Sequence, residues 1–354
     1  MNDFFMLCSW PGSVPDLGHK ESHIPILLVQ NTGFHTSHVP HSLQRQRGGG
    51  AASDFGSGWD MILPAGWSMA FWIALIYRGA KAVGLREQRS LAFEAGELTF
   101  PDCCPDTPSG AEMSSSRAAE LQSAYSRRPP AKRCNYKKMG VVAPFHCPWL
   151  ELAQGWMPGC EGGPSDELFY CVRDRKLLRL LNGVCDGAVS RSKSCVQNSS
   201  HGPAAADISR TLQQCGRAIV KVRVVMLGHG APTWHALICL PAKEDIGGTS
   251  PRKILSRGVV EGPTEPVHHK SASTEAGGLN PVDVLGSAVR PTVGFVVEGG
   301  FCHAAARGTG VGFVSVQGLK KLLEEKRDPA SPTHVLVRCP HSLQYRPAVL
   351  HIVV

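Results

Sequence analysis

No CxxC pair occurs anywhere in the sequence, although thirteen cysteines are scattered through its 354 residues. Zinc ribbons and fingers need closely spaced ligand pairs, so both are excluded. An odd cysteine count at irregular spacing also speaks against a disulfide framework, and the expectation is a reduced, intracellular chain. Charge is scarce, at 19% Asp, Glu, Lys and Arg, against about 25% in a typical soluble domain. No uncharged apolar run reaches the roughly 20 residues of a bilayer span. The longest, residues 61–77, contains Pro64 and Gly66 and is bounded by Asp60 and Arg78, so a buried helix is expected and no membrane partner. Residues 1–10 are apolar but carry Asp3 and no leading Lys or Arg, and so lack the basic start of a secretory signal. A GxxxxGK[ST] loop is missing, which leaves nucleotide hydrolysis without support. No two carboxylates stand out as an acid and a base.

What the chain does have is 38 glycines, 26 prolines and a net charge of +8. The first two predict long turns and linkers, and the third an acidic partner. Residues 1–50 read as a mostly disordered segment with one strand-like island, IPILLVQ at 24–30. His35, His38 and His41 recur every third residue, but Val39-Pro40 breaks any helix and no carboxylate or Cys joins them, so no metal site is assigned. Asp60 to Leu63 reads as a strand, and Pro64 suits the first turn of a helix. Met69, Trp72, Ile73 and Ile76 then fall at helical spacing as a core-facing stripe. Arg78, Lys81 and Arg86 follow at the helix end, where cations cap the dipole or meet phosphate.

The basic centre lies at residues 117–138. Arg117, Arg127, Arg128, Lys132, Arg133, Lys137 and Lys138 face a single Glu120, with Tyr125 and Tyr136 interleaved and Pro129-Pro130 keeping the segment extended. An extended cationic strand with aromatics suits a phosphate backbone and stacked bases. Nucleic-acid contact is therefore preferred to the alternatives, a solvated loop or a nuclear-import signal. Residues 171–182 read as a short basic helix, with Arg173, Arg175, Lys176 and Arg179 around Leu177, Leu178 and Leu181. A linker is expected at 183–216, then a hairpin of residues 217–226 and 233–240 joined by the turn at 228–232. After a second linker at 247–288, strands are expected at 293–297 and 311–316, a short helix around Leu319, Leu322 and Leu323, and strands at 334–338 and 348–354.

Possible chemical motifs are thin. Gly66-Trp67-Ser68-Met69-Ala70 sits between strand and helix like a nucleophile elbow, but the elbow needs Gly where Ala70 stands. Gly308, Gly310 and Gly312 form a GxGxG run without the strand–turn–helix context of a dinucleotide site, so a turn is expected there. Cys103-Cys104 and His146-Cys147 are adjacent and unsuited to chelation. No catalytic residue, metal site or cofactor follows.

SGWDMILPAGWSMAFWIALIYRGAKAVGLRE at 57–87 resembles the POPLD domain of the family of the largest protein subunit of eukaryotic ribonuclease P and RNase MRP. The resemblance continues through FPDC at 100–103, RRPPAKRCNY at 127–136, APFHCPW at 143–149, RDRKLLRLL at 173–181, ICLPAKED at 238–245, VGFVVEGGF at 293–301, GFVSVQGL at 312–319 and SLQYR at 342–346. Residues 31–56 read as an insertion, and the family's Arg-rich N-terminal half has no counterpart, so a C-terminal form is expected. Beneath this lies a second likeness, to the folate-dependent aminomethyltransferase of glycine cleavage. It implies an α/β (α+β) fold whose aminomethyltransferase-like core carries a C-terminal β-barrel, with disordered linkers, and it does not transfer chemistry.

The expected organisation is a disordered segment at 1–50, a POPLD domain at 51–150, a basic helix and linker at 151–216, and a β-rich domain at 217–354 interrupted at 247–288. The resemblance implies a nuclear and nucleolar, non-catalytic RNA-binding scaffold. Its partners would be ribonuclease P RNA, RNase MRP RNA and other subunits, with precursor tRNA met indirectly. It would act in removal of the tRNA 5′ leader and in pre-rRNA processing, with RNA as the catalyst. The RNA-binding residues would be Arg127, Arg128, Lys132, Arg133, Lys137, Lys138 and Tyr136, then Arg78, Lys81 and Arg86, then Arg173, Arg175 and Lys176. A folate-dependent aminomethyltransferase is the alternative, with a deep apolar pocket and a convergent carboxylate. A truncated form that does not assemble is the third reading, and would leave apolar surface exposed.

Overall fold

The computed structural model describes residues 24–32, 57–157, 168–186, 212, 215–246, 263–264, 281–286, 288–326, 328 and 331–354. The His35, His38, His41 triplet and most of both expected linkers lie outside these residues. The described chain divides into two units, one ending at Gly84 and the other starting at Leu85.

In the first unit, β1 (Leu27–Thr32) and β2 (Ser57–Ile62) pair antiparallel, with Leu27 opposite Ile62 and Gln30 opposite Trp59. Helix α1 (Ser68–Tyr77) follows. The helix carries the expected residues but starts at Ser68, with Pro64 in the turn before it and not in its first turn, and the expected core-facing stripe does not form. Met69, Trp72, Ile73 and Ile76 are all exposed, as are Leu27, Trp59 and Tyr77. The physical reason lies in composition: SMAFWIALIY is apolar all the way round and offers no single face. A two-stranded ribbon beside one short helix is too small to enclose so many apolar side chains.

The second unit is built on a closed barrel. Its strands are β4 (Ala218–Met226), β5 (Leu237–Cys239), β6 (Thr292–Cys302), β7 (Arg307–Ser315), β8 (Thr333–Arg338) and β9 (Tyr345–Ile352), in the order β4-β7-β6-β5-β8-β9. Pairing of β9 with β4, Ile352 opposite Val222 and Ala348 opposite Met226, closes the ring. The two-residue β3 (Tyr170–Cys171) lies parallel to the start of β4. The α/β character and the C-terminal barrel thus agree with expectation. The hairpin does not. Residues 218–226 pair with β7 and β9, whereas residues 237–239 pair with β6 and β8. Alternation predicts strands but not partners, and barrel closure sends these two to different neighbours.

Along β4 the side chains sort by period two. Val220, Val222 and Val224 join Ile238, Val296, Val314 and Leu350 in one buried cluster, which is extended by Leu178 and Leu181 of a helix at Arg175–Cys185 and by Leu319 and Leu322 of one at Val316–Glu324. Ile219 joins a second cluster with Leu237, Phe295 and Phe313, where Trp149 meets both phenylalanine rings edge-on at 5.5–5.8 Å. Each fully buried Val, Leu or Phe contributes about 1.5–3 kcal/mol, so the two clusters dominate the stability of this unit.

The GxGxG run is strand, not turn: it lies inside β7. A Cβ on Gly308 would sit 2.1 Å from the Gly230 carbonyl oxygen, and one on Gly312 would sit 2.0 Å from that of Phe295. These glycines admit close backbone approach, a role that a sequence pattern does not separate from a turn.

Candidate nucleic-acid interface

The basic centre begins on a helix, which carries Arg117 and Arg127, and its other five cations follow the helix end. Residues Pro108–Arg127 form a 20-residue α-helix, whose N-terminus is capped by Thr107, the hydroxyl accepting from the Gly110 amide at 3.2 Å, with Pro108 in the first turn. This corrects the expected extended strand: the composition of RAAELQSA at 117–124 favours helix up to the Pro129-Pro130 stop, and only the residues beyond that are free to extend. A 3-10 turn at Pro130–Lys132 then reverses the chain.

That reversal is fastened to the helix end. Arg133 donates from Nε to the Arg128 carbonyl at 2.7 Å and from its Nη2 to the Ser126 carbonyl, and Arg127 donates to the Ser123 carbonyl at 3.3 Å. Both cations thus satisfy carbonyls at a helix C-terminus. The Tyr125 hydroxyl donates to the Cys134 carbonyl at 2.8 Å, and the Arg133 guanidinium lies 5.8 Å from the Tyr125 ring. Tyr125, Tyr136 and Phe145 form a triangle with ring centroids 5.4–5.6 Å apart. Burial pushes the Tyr136 phenol upward, so it stays a neutral hydroxyl at physiological pH. Lys132, Lys137 and Lys138 are exposed around this triangle, and no carboxylate among the described residues pairs with them.

Arg117 behaves differently. Its guanidinium donates to Asp102 at 3.1 Å, shares that carboxylate with Arg89, and lies 5.5 Å from the Trp234 ring. It is therefore a structural cation. Its contact joins the helix to the loop before β5, where Thr233, Trp234 and His235 stand. None of these three was singled out by the sequence, because their neighbours in space lie about a hundred residues earlier. Together with Tyr125, Arg128, Tyr136, Phe145 and His341 they line a cavity of about 230 Å³.

The other predicted cations do not converge here. Arg173 makes a two-pronged bond to Asp106, at 2.6 and 2.7 Å, just before the N-terminus of the 20-residue helix. That helix is about 30 Å long, so Arg173 lies at the opposite end from Arg127 and Lys137. Burial alone would raise the Asp106 carboxyl, but the Arg173 guanidinium and the Cys171 amide outweigh it and hold the group below its usual range. Arg175 and Lys176 are exposed in the first turn of the next helix, which Asp174 caps. Arg78, at the C-terminus of α1, and Lys81 are exposed in the first unit. Arg86 is exposed too, but it opens the following helix, Leu85–Ala95, and does not end α1.

Comparison with known proteins gives two family matches. The POPLD (NUC188) domain matches residues 58–149, and the POP1 C-terminal domain matches residues 218–280 and 266–354. The human ribonucleases P/MRP protein subunit POP1 is 31% identical over 95% of this chain and 42% of its own length. The Caenorhabditis elegans ribonucleases P/MRP protein subunit popl-1 is 26% identical over 62% of this chain and 26% of its own. The Schizosaccharomyces pombe subunit pop1 is 35% identical over 27% of this chain and 15% of its own. The chain thus spans less than half the length of these curated relatives.

Proposed function

Since this chain belongs to the POP1 family, carrying its POPLD and C-terminal domains, we propose that it is a non-catalytic, RNA-binding scaffold subunit of ribonuclease P and RNase MRP, acting in the nucleus and nucleolus. The observation that carries the RNA-binding part is the cationic rim of Lys132, Lys137 and Lys138 around half-buried tyrosines, with no carboxylate among the described residues set against it. Lysines neutralise packed phosphates, aromatic rings accept bases, and the combination tolerates many sequences. Arg127, Arg128 and Arg133 hold the rim in place and add to its field. Arg78, Lys81, Arg86, Arg175 and Lys176 are exposed cations suited to further phosphates, and Arg173 adds charge beside Arg175 and Lys176 from its bond to Asp106.

In this reading the RNA of each particle cleaves the phosphodiester, in precursor tRNA or pre-ribosomal RNA, and the protein's work is electrostatic and architectural. The exposed apolar side chains of the first unit, Trp59, Trp72, Ile73 and Tyr77 among them, form the kind of surface that other protein subunits cover. The expected organisation into a POPLD domain at 51–150 and a β-rich domain at 217–354 is part of the same proposal. The barrel with its flanking helices also supports kinship in fold with the aminomethyltransferase of glycine cleavage. The folate chemistry is not favoured, because the cavity described above has no Asp or Glu in its lining.

Ultraviolet crosslinking of the tagged chain in cells, with sequencing of the bound RNA, tests this function. Enrichment of ribonuclease P and MRP RNA is expected, falling in a variant with Lys132, Lys137 and Lys138 changed to Ala. Absence of enrichment would overturn the reading for this chain.

A further inference from the structure

The cavity beside the basic rim has the walls of a ring-binding site. Tyr125, Tyr136, Phe145 and Trp234 supply aromatic surface from three separate stretches of chain, and Trp234 is 39% exposed. Its volume of about 230 Å³ falls below the roughly 300–1,000 Å³ of pockets for drug-sized ligands, so it admits a single ring system. One polar group in the wall is available to a ligand. The His235 Nδ1 lies 3.2 Å from the Pro144 carbonyl oxygen. A carbonyl only accepts, so Nδ1 carries the proton, and the neutral ring keeps its Nε2 lone pair as an acceptor. His235 also holds a backbone φ of 59°, an uncommon conformation for a non-glycine residue and one that collects at functional sites.

The lining also decides between kinds of ligand. An aromatic cage recognises a quaternary ammonium through its ring faces, but Arg128 stands in this wall and no carboxylate does. The surrounding field repels a cation and attracts a group that carries phosphate. We propose that the cavity receives one unstacked nucleobase of single-stranded RNA, held against the aromatic rings and hydrogen-bonded by the His235 imidazole, while the cationic rim holds the flanking phosphates. The proposal rests on the RNA-binding reading above and specifies how that RNA is engaged: by a base drawn out of its stack, not by phosphate contact alone.

The test uses the full chain and a short single-stranded RNA with 2-aminopurine at one position, alongside the same strand made abasic and a duplex of equal length. Binding is expected to change 2-aminopurine fluorescence, and the abasic strand is expected to bind about tenfold more weakly, the value of one base–aromatic stack. Phe145→Leu and Tyr136→Leu should abolish that tenfold preference and leave duplex affinity unchanged. His235→Asn suits the same backbone conformation, so it guards against mere misfolding, and it should weaken only the base-containing strand, by several-fold. Equal affinity for normal and abasic strands overturns the pocket, while continued salt-dependent binding that falls on changing Lys132, Lys137 and Lys138 to Ala keeps the RNA-binding reading. No RNA binding at low salt overturns both. Binding of a trimethyl-lysine peptide that depends on the same rings, with no base preference, would assign the cavity to a protein ligand and overturn the proposal.

Discussion

The guanidinium of Arg117 lies 5.5 Å from the ring of Trp234 while donating to Asp102 at 3.1 Å. This contact fixes the loop before β5 against the long helix and so sets one wall of the aromatic cavity. Asp102 also holds Arg89, and its side chain is nearly buried. Removing Arg117 would leave that carboxylate half-partnered and release the indole.

Arg117→Ala should therefore destabilise the second unit by about 1–3 kcal/mol, read as a lower denaturant midpoint. Arg117→Lys keeps the charge but cannot both bond Asp102 and cover the ring, and should recover only part of the loss. An unchanged midpoint in Arg117→Ala would show that the contact does not hold the loop.

Burial lowers the His235 pKa to about 4, against the favourable Pro144 bond and with help from the nearby His146 and Arg117. The unfolded ring takes up a proton near pH 6.5, so between pH 6.5 and 4 the unfolded chain binds more protons than the folded one. Stability should then be full above pH 6.5 and fall as pH drops toward 4, by up to about 3 kcal/mol from this residue. His235→Asn suits the same backbone conformation and should flatten the slope in that window. Asp106, Asp245 and Glu94 act at the acid end: burial alone would raise each, but hydrogen bonds outweigh it and depress them, so their contribution starts to fall at the ordinary carboxylate range and is lost as pH drops through their lower folded values. Urea titrations from pH 7 to 4 on both proteins measure the difference.

Elements were legible in this sequence wherever periodicity carried them. The strand at 218–226 buries Val220, Val222, Val224 and Met226, as alternation assigned, the helix at 175–185 buries Leu178 and Leu181, as helical spacing assigned, and the strand expected at 334–338 forms as Thr333–Arg338. What stayed hidden was pairing. Nothing local says that residues 218–226 close a ring with residues 345–352 or that Trp234 meets Arg117. The basic segment was found by charge counting, but counting could not separate Arg117, which ion-pairs with Asp102, from Lys132, Lys137 and Lys138, which pair with no carboxylate among the described residues, nor, further on, Arg173, which ion-pairs with Asp106, from Arg175 and Lys176. The stripe on α1 misled because helical spacing reports a face only when the opposite face is polar.

Gly312→Ala should be among the most damaging small substitutions in the barrel. Its Cβ would meet the Phe295 carbonyl oxygen at 2.0 Å and the Val296 Cα at 2.8 Å, both backbone atoms that cannot yield without opening the β6–β7 pairing. A loss of about 3 kcal/mol or more is expected. Gly286→Ala, with nothing within 4 Å of its Cβ, should change the melting temperature little, and equal losses in the two variants would contradict the close-approach argument.

The cations themselves should separate into two kinds when RNA binding and stability are measured side by side. Arg173→Ala strips the buried Asp106 of its two-pronged partner, so it should lower stability by about 1–3 kcal/mol, with little effect on RNA affinity per folded molecule. Lys132, Lys137 and Lys138 have no such partner among the described residues, and changing all three to Ala should leave stability within about 0.5 kcal/mol. Each phosphate neutralised on a single strand contributes roughly 0.7 to the slope of log affinity against log salt. If all three lysines meet phosphate, the triple variant should flatten that slope by about 2 and bind several-fold to a hundredfold more weakly at low salt. A slope unchanged by the triple variant, but flattened by Arg175→Ala with Lys176→Ala, would move the phosphate contacts to the far end of the long helix.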